Sequence, residues 1–219
     1  MTIAHLRRVF LVVTPLTLAA VLWLHPAGGE DVYEGVRADV GRWVFVHTAF
    51  LFFTPLLAIA TYLLLNGLES RAANVSRVAL VFFLVFYTAY EVTVGAATGI
   101  LVDHANGLPA AEQAAVADAI QDLNRNALLT DPSVSLALGS LGWIVAMVAG
   151  AVAFRRAGAS WPVTLLVGFA ALFAAHPPPI GPAGLVCFAA AAMLIERARA
   201  RDAKEPAPEA PALAEPAAT

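Results

Sequence analysis

Apolar residues run along this chain in six long blocks separated by short polar stretches: Val9–Leu24, Trp43–Leu65, Val78–Val102, Val134–Phe154, Trp161–Ala175 and Ile180–Ile195. A bilayer core about 30 Å thick is crossed by roughly 20 helical residues rising 1.5 Å each, and the blocks approach that length. The pattern predicts an all-α fold, a polytopic integral membrane protein built as a six-transmembrane-helix bundle. Arginine and lysine then fix an orientation. Arg7 and Arg8, Arg71 and Arg77, Arg155 and Arg156, and Arg197, Arg199, Arg201 and Lys204 fall in alternate connections, whereas only Arg37, Arg42 and Arg125 fall in the opposite set. Positive residues stay inside, so the N- and C-termini are expected in the cytoplasm and the number of crossings is even. The first block is long for a signal-peptide core, and His25-Pro26-Ala27-Gly28-Gly29 offers no small-x-small cleavage site, so an uncut anchor is expected.

Between the third and fourth blocks, Pro109 followed by Glu112, Val116, Ile120 and Leu123 reads as a short helix with one apolar stripe lying on the outer surface. Asp131-Pro132 reads as the cap and first turn of the fourth span. The membrane domain therefore covers 1–200, and the Pro-, Ala- and Glu-rich stretch 201–219 is expected to be a disordered cytoplasmic tail.

Composition sharpens the class. Of the 219 residues, 60% are hydrophobic and 13% charged, with mean hydropathy +0.75, against about 45–50% apolar and about 25% charged in soluble domains. A net charge of −3 provides no basic surface to neutralise phosphates, which excludes nucleic acid as a partner. The partners expected are the lipid bilayer and, within it, a second copy or other membrane proteins. Cys187 stands alone and forms no internal disulfide. Abundant alanine, and arginine used almost to the exclusion of lysine, point to a bacterial plasma (inner) membrane.

Glu91 is the most informative polar residue, since a carboxylate midway along the third span costs about 3 kcal/mol to insert. Tyr87, Gly95 and Thr98 share its helix face, and Gly95 with Gly99 forms a G-x-x-x-G element that lets another helix approach. Glu91 is thus expected to face the bundle interior, as a proton, cation or ligand site or as an interhelical hydrogen bond. Measured along their helices, His47 lies about 6 Å from Trp43 and Glu91 about 16 Å from Val102, which predicts different depths and no direct pair, with a water bridge left open. Thr54-Pro55 matches Glu91 in depth, and Pro55 frees the Leu51 carbonyl as a possible acceptor.

His25, His47, His104 and His176 fall at the outer ends of their spans, on a face with nine carboxylates and three arginines. No two are spaced i, i+3 or i, i+4, so they read as interfacial anchors; no metal, haem or other cofactor is expected. The proline-rich run around His176 joins two short apolar segments, either as a rigid turn or as the wall of an outward pocket.

Gly139-Ser140-Leu141-Gly142 on the fourth span, followed by His176, loosely resembles rhomboid intramembrane proteases, whose serine motif is Gly-x-Ser-Gly and whose histidine lies within the sixth helix. That resemblance implies a hydrolase using Ser140 and His176. The reading favoured by the residues themselves is non-catalytic: binding or transport of a small solute or ion, or support of a membrane assembly, with Glu91 as polar centre and Tyr87, Thr54, His47 and His176 as further candidates.

Overall fold

The computed structural model describes residues 2–26, 31–127 and 133–203. Among them there are helices and no strands. The helices are α1 (Ile3–Leu22), α2 (Val32–Arg37), α3 (Val40–Leu64), α4 (Arg71–Ala105), α5 (Ala110–Asn124), α6 (Val134–Arg156), α7 (Trp161–Ala174) and α8 (Ile180–Asp202). Five of them, α1, α3, α4, α6 and α8, are long and apolar enough to cross a bilayer, as in a multi-pass membrane protein. The fifth apolar block forms the shorter α7, whose last turn tightens into a 3-10 winding at Ala170–Ala174. The expected tail lies largely outside the described residues.

Local chemistry sets the helix ends. Thr2, Asp31, Asp39, Ser70 and Ser133 each accept a backbone N–H three residues on, satisfying donors that a helix N-terminus leaves open. The cap of α6 is therefore Ser133; Asp131 and Pro132, expected in that role, lie outside the described residues. Gly67 and Gly158, with φ of 85° and 90°, make the turns into α4 and α7 in a backbone region that other residues rarely adopt.

The long helices and α7 pack in a ring in chain order, each against its sequence neighbours, with α8 returning against α1. The ring interior is a continuous apolar core, while Phe52, Val78, Ile100, Leu141, Leu165 and Val186 stay exposed on the outside. Such a helix, apolar on every face, suits a lipid environment. Small residues bring α6 onto α4: a Cβ at Gly139 would lie 2.6 Å from the Tyr87 nitrogen, and one at Gly142 2.6 Å from that of Phe83. Ser76 of α4 completes this seam by donating to the Ala146 carbonyl at 2.7 Å.

At one end, α2 and α5 lie over the ring. A satellite cluster of Tyr33, Val36, Trp43, Val102, Ala105 and Ile120 ties them to α3 and α4, as the stripe on α5 predicts. At the other end, Glu196 of α8 accepts from Arg7 of α1 at 2.6 Å and from Arg199 at 2.9 Å, with Arg8 at 4.0 Å. Arg199 also donates to the carbonyls of Leu64 and Asn66 at the end of α3. This clasp fastens α1, α3 and α8 together.

Candidate functional site

Helix α4 is not uniformly α. It widens into π windings at Phe83–Tyr87 and again at Glu91–Ala97, and such windings inside α-helices concentrate at functional sites. They loosen the backbone ladder: the Gly95 carbonyl accepts the Trp43 indole N–H at 2.9 Å, and the Thr98 hydroxyl donates to Thr93 at 3.1 Å. Gly95 and Gly99 give α3 a close seat. A Cβ on Gly95 would fall within the His47 ring, and one on Gly99 would strike Val44 and Trp43.

This seat brings together residues that the sequence places apart. Trp43 is level with Gly95, so His47, one turn further in, comes level with Glu91. Their Nε2 and Oε2 atoms are 3.9 Å apart, with His47 3% and Glu91 1% exposed. The expectation of no direct pair is corrected here. Helix ends are no measure of relative depth here: α4 continues to Ala105, and the Trp43 hydrogen bond to Gly95 sets Trp43 well inward of Val102 on α4. Nor does Glu91 donate to the Leu51 carbonyl: neither carboxyl oxygen has a hydrogen-bond partner.

Around this pair, imidazoles converge from three parts of the chain. His25, just beyond α1, has its ring centre 5.1 Å from that of His47 and 5.1 Å from that of His176 in the α7–α8 link. Trp43 stacks on His47 at 4.3 Å, and Phe50 lies edge-on to His176 at 5.6 Å. Tyr87, wholly buried, meets His176 at 6.2 Å; its hydroxyl is in electrostatic contact with Glu91 but holds no hydrogen bond of normal geometry. Glu91, Tyr87, His47 and His176 thus share one cluster. Thr54, also buried with its hydroxyl unpartnered, sits about two turns along α3 from His47.

The tautomers follow from the hydrogen bonds. His47 Nδ1 is 2.8 Å from the Trp43 carbonyl, and His25 Nδ1 2.8 Å from that of Pro26. A carbonyl only accepts, so each Nδ1 carries a proton and, in the neutral ring, each Nε2 is a bare lone pair. Burial holds His25 below the usual imidazole pKa, partly opposed by its bond to Pro26. His25 Nε2 is buried with no partner. The imidazoles of the cluster thus present bare acceptors, with the Tyr87 hydroxyl as the donor nearest Glu91.

His25 was missed as a member because its apolar block ends before it; the only signal was its place among the outer-end histidines. Among the described residues, no group of three or more histidine, cysteine, aspartate and glutamate side chains is arranged to hold a metal ion. No hydrogen bond joins Ser140 to His176, which instead contacts the rings of His25, Phe50 and Tyr87. The fold and this cluster define a class: a helical, multi-pass membrane protein with a buried polar centre. Comparison with protein-family models, curated proteins and solved structures gives no significant match.

Proposed function

We propose that this protein is a six-span protein of a bacterial inner membrane, with both termini cytoplasmic and α7 as the short fifth crossing, and that it binds a small cation non-catalytically at Glu91 and His47. The observation that carries the reading is a fully buried carboxyl group with no hydrogen bond of normal geometry, its polar neighbours being the Tyr87 hydroxyl and an imidazole nitrogen at 3.9 Å. Two acceptors so placed repel unless a positive charge lies between or upon them. A site of this kind within a membrane bundle is a functional candidate by default, because an ionisable group there is costly and finds use in ion or proton handling. The orientation rests on the positive-inside distribution, which puts the histidine end outside.

Infrared titration of the protein in lipid tests this reading. Wild type is expected to show a carboxyl band that disappears in Glu91→Gln and responds reversibly to bulk pH. A band indifferent to pH, with Glu91→Gln as stable as wild type, would reduce Glu91 to a structural contact and end the binding-site reading.

A further inference from the structure

The groups around Glu91 say which cation fits. From α3 comes His47; from α4, Tyr87, with Tyr90 beside it; from the α1–α2 link, His25; from the α7–α8 link, His176. Helices α1 and α6 bring no titratable side chain to this half of the bundle, and Cys187 of α8 is partly exposed. The paired Asp39 and Arg42 begin α3 in solvent, and Asp103 and His104 are exposed at the end of α4. Among the described residues, no arginine is paired with Glu91. His47 and Glu91 have one free lone-pair site each toward the other, which matches one proton between them. His25 and His176 are only partly buried, whereas His47 and Glu91 are almost wholly so. The imidazoles thus step from the bundle end towards its centre.

We propose that the bound cation is a proton and that His25 and His176 form its entry route to His47 and Glu91; this rests on Glu91 being a cation site. A hydronium ion at the bundle end gives its proton to a bare nitrogen of His176 and becomes water, and His176 passes the proton to the buried Nε2 of His25, whose ring centre lies 5.1 Å away. His25 passes the proton from Nε2 to His47 Nε2, since both Nδ1 atoms are tied to backbone carbonyls. His47 then gives it to Glu91 Oε2, and each imidazole returns to its neutral form. A bridging water or a small ring rotation closes the 3.9 Å gap.

The test follows the Glu91 carboxyl band after a jump from H2O to D2O in lipid nanodiscs. His25→Phe and His176→Phe keep a ring in place but remove the proton carrier, and are expected to slow the exchange by about tenfold or more, leaving the band in place. His104→Phe, at an exposed position, is expected to exchange as wild type. If a phenylalanine variant does not fold, the Asn variant at the same position serves, its fold checked by thermal unfolding. Exchange at the wild-type rate in both His25 and His176 variants overturns the route while Glu91 remains a cation site. A missing or pH-indifferent Glu91 band overturns both. Stoichiometric zinc or copper in the purified protein, lost in His25→Asn, overturns the proton in favour of a metal ion on the same lone pairs.

Discussion

Trp143→Ala is expected to lower stability by about 3–5 kcal/mol, as truncation of a large buried aromatic does. Trp143 is fully buried on α6, with ring centres 4.9 Å from Phe83 of α4, 5.4 Å from Phe173 of α7 and 6.3 Å from Phe188 of α8. It is the point where four helices meet. Its indole N–H donates to the Ala170 carbonyl at 2.8 Å, at the start of the 3-10 winding, so truncation leaves a void and removes a hydrogen bond between α6 and α7. Trp143→Phe separates the two effects, since it keeps most of the volume and loses only the hydrogen bond, at a cost of about 1 kcal/mol. Unfolding titrations in mixed micelles give both values. Equal losses for the two variants would mean that the hydrogen bond, and not the packing, dominates at this junction.

The second large effect is expected at the opposite end. Glu196→Ala removes the one carboxylate that Arg7 and Arg199 both contact, with Arg8 at the edge of reach. Removing one partner of a buried ion pair strands the other charges, and here about 3 kcal/mol is expected; the arginine side chains are 28–46% exposed and recover some hydration, which limits the loss. Thermal unfolding at low and high salt reads the effect. A Glu196→Ala protein as stable as wild type would mean that Arg199, through the Leu64 and Asn66 carbonyls, holds the helix ends by itself.

Much of this architecture is legible in the sequence because a helix in lipid must satisfy its own backbone, so each apolar run declares a helix. Glu91 stands out for the same reason: an ionisable group is conspicuous among Val, Gly and Ala. Relative depth is not legible. It depends on where two helices cross, and the crossing of α3 with α4 is set by Gly95 and Gly99 receiving His47 and Trp43, with the π windings altering the helix phase. A reading based on span ends therefore separates His47 from Glu91, whereas the close seat at the glycines joins them. The histidine cluster is hidden for a related reason: its members come from three distant stretches, so no local spacing betrays them. Glu196 was likewise unmarked, being one acid within an arginine-rich segment whose charges read as an orientation signal.

The return of α8 to α1 has a topological consequence. Because each of the five long helices and α7 touches its predecessor and its successor among these six, and the last touches the first, the order around the bundle is circular and no helix is its natural beginning. The antiparallel pairing of α1 with α8, clasped through Arg7 and Glu196, is equivalent to the pairings that chain turns make elsewhere. Connectivity and architecture are in this sense separable: a chain threaded from another starting helix retains the same neighbours, and the side chains that meet at the histidine end remain adjacent.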